Sequence, residues 1–298
     1  MIPKIIHQLW IGDKPRPAGP MNKWRDLNPD FEYLMWDEKM IEEKLEVNKR
    51  YKFKLENHQA IWGKADMYRW LILKKFGGIF IDADILPIEP LDESLLIKPF
   101  VCYEQEQERQ GLLATSVQAY TPEHILPSLA VEWIMNNNVN ELKTKTESWI
   151  LVGPGLLTRT YIDMKEKGLE NTIDIKPSYL FLPDHHTDIK YSGHSKVYGT
   201  HLWGSTKNNY DKISKMKIPD HFETPSSKNF IDINLTNLKE KEIMNCLESI
   251  KEMQGRYNIH IHYNKKDEIR NMLYEWKKNC RWVYIYSTIP GEISGTEI

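Results

Sequence analysis

The sequence predicts an α/β protein, and three observations carry that prediction. Short apolar runs such as Ile79-Phe80-Ile81 and Phe100-Val101-Cys102-Tyr103 have the length of buried strands and are too short for helices. Longer stretches carry apolar residues at helical spacing, as at Ile61, Ala65, Tyr68, Leu71 and Ile72, so one face of residues 58–76 can pack. After Pro219 the composition shifts to three strand-like runs separated by charged amphipathic helices, the pattern of a small βαβαβ unit. That shift divides the chain into residues 1–219 and an accessory region, 220–298.

The first strand runs from Lys4 to Trp10 and enters a Gly- and Pro-rich loop over residues 12–20. Ligands of α/β sheets gather beyond the carboxyl ends of strands, which places Trp10 and Ile11 to meet a nucleotide base. The same position also suits a core tryptophan at a strand end. Residues 31–36 alternate as a second strand, Asp37 can cap the helix after it, and the charged residues of 39–54 form a solvated helical region.

Gly77-Gly78 stops the helix of 58–76, because glycine tolerates the left-handed conformation of a helix C-cap. The strand 79–81 then emerges at Asp82 and Asp84. In an extended segment, side chains two residues apart point to the same side. Two like charges beside an apolar strand need a cation or donors to neutralise them, and a divalent metal with oxygen ligands does so. On this reading, removing one of the crowded carboxylates should leave stability unharmed. Within the helix, Asp66 and Arg69 stand three apart, either as an exposed ion pair or as a pair that faces the strand end.

Residues 100–103 and 112–120 read as two further strands around the polar stretch 104–111. Thr121 is expected to cap a helix with Pro122 at its first position, and Gly153-Pro154 opens another. There glycine and proline supply close backbone approach and a fixed turn. Residues 173–175 and 179–182 look β-like. His185, His186 and Asp188 hint at a metal, but adjacent histidines in a strand point oppositely, so an exposed loop is expected. In the accessory region, strands are expected at 230–235, 258–263 and 282–287, helices near 239–256 and 265–280, and a mobile tail at the end.

Forty basic against forty-two acidic residues leave a net charge of −2, which gives no support for nucleic-acid binding. Cys102, Cys246 and Cys280 are few and scattered, which fits a reducing compartment without a disulfide framework. No apolar run approaches the roughly 20 residues of a membrane helix. The first strand starts almost at once, so no signal peptide is expected and the location expected is cytoplasmic. Ten tryptophans and fifteen tyrosines suit a carbohydrate site, though in an α/β enzyme most such rings are core. Asn234-Leu235-Thr236 is a glycosylation sequon of the kind chance supplies.

Three separated segments carry a family resemblance. KADMYRWLILKKFGGIFIDADILP (residues 64–87) closely resembles the DXD-motif region of the family 32 glycosyltransferases. IPKIIHQLWIG (residues 2–12) and NPDFEYLMWD (residues 28–37) match the same domain in the same order. That family includes the yeast initiating mannosyltransferase, lactosylceramide galactosyltransferase and many capsule-synthesis enzymes, with the large clostridial glucosylating toxins sharing the core more distantly. The likeness covers residues 1–205 and thins after Pro99. Further on, His201, Gly204 and Lys207 resemble the HxxGxxK element of retaining transferases, although Asn208-Asn209 replace the Pro-Trp that follows it there.

The resemblance implies a GT-A type nucleotide-sugar-binding domain with a mixed central sheet. It implies a metal-dependent, retaining transferase that moves a hexose from a UDP-sugar to a glycan or other acceptor, and either a bacterial or viral version or a chain whose membrane anchor has been removed. Asp84 and His201 would hold Mn²⁺, with Mg²⁺ the other candidate, and Asp82 would bridge the metal and the ribose or sugar. Asp66 and Arg69 would meet the sugar and diphosphate, Lys207 the diphosphate, and Trp10 would stack on uracil. Two other readings remain: a haloacid dehalogenase-like phosphatase, from FIDADIL and the acidic residues of YLFLPDHHTD, and a catalytically silent sugar-binding module.

Overall fold

The computed structural model describes residues 1–141, 147–193, 195–216, 218, 230–234, 247, 258–263 and 283–287. By its internal contacts the chain divides into two units. One comprises residues 1–105, 111–189 and 197–220; the other comprises 106–110, 190–196 and 221–298.

The first unit is built on a six-stranded sheet in the order β2-β1-β3-β6-β5-β7. Its strands are β1 (Ile5–Leu9), β2 (Glu32–Trp36), β3 (Gly78–Ile81), β5 (Phe100–Tyr103), β6 (Leu113–Tyr120) and β7 (Asp174–Lys176). β1 runs parallel to both β2 and β3, β6 is antiparallel to β3 and β5, and β7 is parallel to β5. The α/β class and the mixed central sheet expected of a GT-A type domain are both present. A separate two-stranded ribbon pairs β4 (Ile85–Pro87) with β8 (Gly199–His201), antiparallel.

The pleat sorts β3 between two cores. Phe80 faces a cluster with Trp36, Trp70, Tyr120, Leu126 and Leu157, whereas Ile79 and Ile81 face one with Ile6, Trp24, Phe100, Phe181 and Trp203. Burial on both faces explains why β3 reads as an unbroken apolar run.

The helices are α1 (Ala18–Leu27), α2 (Glu38–Lys44), α3 (Lys49–Asn57), α4 (Ile61–Phe76), α5 (Ile125–Asn136), α6 (Ser148–Leu151), α7 (Pro154–Glu166) and α8 (Tyr210–Ile213). Asp37 caps α2 as expected, accepting from the Met40 N–H at 2.8 Å. Gly77 ends α4 at φ +63°, and a side chain there would also meet Pro122 at 2.7 Å. Gly78 follows at φ +81°, and its Cβ would meet His7 Nε2 at 2.9 Å. Both glycines are therefore required twice over, by backbone and by space.

Several expectations need correction. α1 begins inside the Gly- and Pro-rich loop, where Ala18 to Leu27 bury Pro20, Met21 and Trp24. α4 starts at Ile61, not at His58, which instead ends α3. The apolar stripe expected for α4 is also rotated: Ile61 is 46% exposed and Met67, Trp70 and Leu73 are buried, although Ile72 is buried as expected. α5 is capped by His124, whose Nδ1 accepts from Leu126 N–H at 3.3 Å, so Thr121 and Pro122 lie ahead of the helix. Residues Ser178–Leu180 form a 3₁₀ turn where a strand was expected.

In the second unit, β9 (Phe230–Asn234), β10 (Asn258–Tyr263) and β11 (Val283–Ser287) form a parallel sheet in the order β11-β10-β9. Apart from Leu247, the expected helices there lie outside the described residues, as do the tail, Cys246, Cys280 and most of the sequon. Among the described residues, no helix is long and apolar enough to cross a membrane.

Candidate functional site

β3 delivers Asp82 and Asp84 at the carboxyl end of a central strand, the place where sheet ligands gather. They do not converge through an extended pleat. The Ile85 N–H donates to Asp82 O at 3.1 Å, so Asp82-Ala83-Asp84-Ile85 is a tight turn that folds the carboxylates together. Gln8 pins this turn by donating to Asp82 O at 3.3 Å, and Tyr33 in turn donates to Gln8 Oε1 at 2.7 Å.

The chain leaves the turn as β4, whose pairing sets Ile85 opposite His201. This ladder brings the downstream element to the acid pair. His201 Nε2 lies 3.3 Å from Asp84 Oδ1. The Leu202 N–H donates to Asp84 O at 2.9 Å, and the Gly204 N–H donates to Asp84 Oδ2 at 2.7 Å. A side chain at Gly204 would strike the Tyr210 ring at 2.5 Å, so glycine is what lets the backbone in. The Tyr210 hydroxyl donates to the same Asp84 oxygen at 3.4 Å, and its ring meets Trp10 edge-on at 5.0 Å.

Arg69 stands between two carboxylates. It donates to Asp66 Oδ1 at 2.6 Å and forms an ion pair with Asp82 Oδ1, with its guanidinium 4.8 Å over the Phe80 ring. At 5% exposure this is a buried cation, so the exposed-pair reading of Asp66 and Arg69 is overturned. Gly153 permits the arrangement: a Cβ there would sit 2.5 Å from Asp66 Oδ2.

Burial pushes the Asp66 carboxyl up to about 6 despite Arg69. It also raises Asp82, with Arg69 opposing and Asp84 adding to the shift. Burial works against the Asp84 charge too, but His201 and the Gly204 N–H outweigh it and hold Asp84 low. His201 is correspondingly raised: burial disfavours its charge, and Asp84 more than compensates. Two neighbouring carboxylates thus have opposite tendencies: at Asp82 burial outweighs Arg69, whereas at Asp84 the charge of His201 and the Gly204 N–H outweigh burial.

Asp82, Asp84 and His201 each bring one ligand atom to within 4.8 Å of the others. Two carboxylates and one imidazole form an oxygen-rich donor set that fits Mn²⁺ or Mg²⁺. Trp10 and Ile11 are half-buried just past β1, and the Trp10 indole N–H donates to Lys14 O at 2.8 Å. Lys207 is exposed on the turn after Gly204, and no ion pair to its amine is seen among the described residues.

The family model for the glycosyltransferase sugar-binding region containing a DXD motif matches residues 16–101. Over this stretch the chain is similar to the DXD-motif glycosyltransferases. It contains Asp66, Arg69, Asp82 and Asp84, whereas Trp10, His201 and Lys207 fall outside it. The chain is 34% identical over 89 residues to inositol phosphoceramide mannosyltransferase 3 of Schizosaccharomyces pombe, covering 28% of this chain and 24% of that protein. It is 28% identical over 125 residues to the initiation-specific alpha-1,6-mannosyltransferase of Candida albicans, covering 37% and 31%. The chain thus spans about a quarter to a third of these relatives. Among solved structures, the ligand-free glycosyltransferase domain of the YGT toxin aligns with a TM-score of 0.45 at 10% identity, covering 74% of this chain and 87% of that one.

The DXD site also contains groups that sequence reasoning missed. Tyr210 carried no motif, and Gln8 sat unremarked in a strand. His185 and His186 were expected to diverge in an exposed loop, yet their rings lie 4.1 Å apart and His185 is buried. The segment is a turn, with Asp188 at φ +68°, so the alternation of a strand does not apply.

Proposed function

We propose that this chain is a glycosyltransferase that draws its sugar from a nucleoside-diphosphate donor bound at the DXD turn. The observation that carries the reading is the convergence of Asp82, Asp84 and His201 beside the buried Arg69, at the end of β3. The names of the matched relatives, mannosyltransferases, support hexosyl transfer. The donor we propose is a UDP-sugar, the acceptor a glycan or glycoconjugate, and the outcome retention, with attack from the face the diphosphate leaves.

Asp84 and His201 would hold Mn²⁺, with Asp82 beside them. Such an ion supplies Lewis-acid neutralisation of the departing diphosphate. Arg69 is fixed before any ligand arrives, because Asp66 and Asp82 clamp its fork. A preorganised guanidinium can meet developing phosphate charge without reorganising. Asp66 orients Arg69 and lies where the sugar would approach. Trp10 would offer its ring to the base beside Tyr210, and Lys207 would reach the diphosphate with its amine from its exposed turn. The phosphatase reading needs an available Asp82 carboxylate, but Asp82 is ion-paired, and the downstream acids Asp184 and Asp188 are exposed.

The test is a screen of UDP- and GDP-sugars for Mn²⁺-dependent thermal stabilisation, followed by donor hydrolysis. Slow, metal-dependent release of nucleoside diphosphate is expected. Cleavage of simple phosphomonoesters would replace the reading with a phosphatase, and binding without hydrolysis or transfer would leave a silent module.

A further inference from the structure

A second group of metal-type donors lies in the first unit, apart from the side chains proposed to hold the donor. Glu104 directly follows β5, and His185 and His186 lie in the turn after the 3₁₀ segment. One ligand atom from each lies within 4.8 Å of the others. His185 Nε2 is 3.6 Å from Glu104 Oε1, and the His185 side chain is 1% exposed. Its other nitrogen, Nδ1, lies 2.7 Å from Thr187 Oγ1, which aims Nε2 at Glu104. An outer hydrogen bond of this kind is what orients metal-binding imidazoles.

The geometry points to a second cation site, formed by Glu104, His185 and His186, that takes Zn²⁺ in preference to the hard cations suited to the DXD turn. Two imidazoles and one carboxylate are a borderline donor set that Zn²⁺ favours over Mg²⁺ or Mn²⁺. Three protein ligands leave a fourth position for water. The turn is already shaped for this: the Asp188 N–H donates to His185 O at 3.1 Å, and within that turn the rings of His185 and His186 lie 4.1 Å apart.

The site has a mechanical role as well. Trp203 donates its indole N–H to Asp184 O at 2.7 Å, and its ring meets His185 at 5.0 Å, His186 at 4.9 Å and His201 at 4.3 Å. A cation held by Glu104, His185 and His186 would fasten this turn to the end of β5 and so steady Trp203. Trp203 has φ +56°, a conformation bulky residues rarely adopt, and the next N–H is the one that reaches Asp84. Glu104, His185 and His186 are thus positioning residues for His201 and Gly204. The binding claim itself holds whether or not the chain transfers sugar.

The experiment uses the full chain without a polyhistidine tag, stripped by chelator and titrated with Zn²⁺ in equilibrium dialysis with elemental analysis. Wild type should hold one tight Zn²⁺ that persists in Asp84→Asn. The affinity should fall on the order of ten-fold or more in Glu104→Gln and His186→Ala. Because a variant could misfold, X-ray absorption on the Zn²⁺-loaded wild type gives an independent readout, with two imidazoles and a carboxylate expected. Wild type that binds no Zn²⁺ tightly, Zn²⁺ lost in Asp84→Asn but kept in His186→Ala, or a spectrum with one imidazole would each overturn the proposal.

Discussion

The two stretches that meet at Asp84 are held in very different ways. The upstream one, α4 through Asp82, is locked into the centre of the sheet. His7 donates from Nε2 to Gly77 O at 2.9 Å and accepts the Trp36 indole N–H on Nδ1 at 3.0 Å, and the Trp70 indole N–H donates to Val152 O at 2.7 Å. The downstream one, from Gly199 to Tyr210, rests on a three-residue strand and a turn with Trp203 and Asn208 at positive φ. Substitutions upstream should therefore be felt first as loss of fold, and those downstream as loss of site.

The largest effect is expected at Arg69. Arg69→Met would leave Asp66 and Asp82 buried without their cation, destabilising the fold by about 3–5 kcal/mol. Urea unfolding measures this, and a variant within 1 kcal/mol of wild type would show that the upstream stretch does not depend on its central charge. Asp84 sits at the junction, and here the expectation of harmless removal is revised. Asp84→Ala leaves the Gly204 N–H and the Tyr210 hydroxyl without their acceptor, which destabilises by about 1–3 kcal/mol. Asp84→Asn keeps an acceptor for them and should hold stability better, while donor turnover falls on the order of 10²–10³-fold. Equal stability of the two variants would break the comparison.

His7 sharpens it through pH. Burial lowers its pKa from 6.5 to about 4, since the charged ring would be desolvated. Between these values the unfolded chain binds the extra proton, so stability rises with pH and is lost as pH falls from 6.5 towards 4. The full difference is about 3 kcal/mol. Subtracting the stability–pH curve of His7→Gln from that of wild type should isolate this slope, and parallel curves would refute it. The smallest effect is expected at Trp10. Trp10→Ala should weaken UDP binding by about 1–3 kcal/mol with little change in folding, and unchanged affinity in calorimetry would make Trp10 a packing residue.

What was legible in the sequence follows the same division. Gly77-Gly78, the apolar run after it and the DXD pair are contiguous, so local rules found them. Asp66 and Arg69 were visible at their helical spacing, but Asp82 as the second partner of Arg69 was not, because nothing local joins a helix to the far end of the next strand. His201 and Gly204 were found by resemblance alone. Tyr210 and the Glu104, His185 and His186 cluster escaped, since their partners are distant in the chain and a turn overrode the strand rule. α1 was hidden by its prolines and glycine, although buried Trp24 donates to Ile85 O at 2.7 Å and so steadies β4.

The ribbon of β4 and β8 has a consequence for the order in which the protein forms. Gly204 and Asp84 are 120 residues apart, so closing that contact carries a loop entropy that the helix-to-strand turn at Gly77 does not. On a growing chain, the acid pair is made and can reach its place in the sheet well before its histidine exists. The last native contacts to appear should be those of His201, Gly204 and Tyr210, and their amide protons should also be the first to exchange.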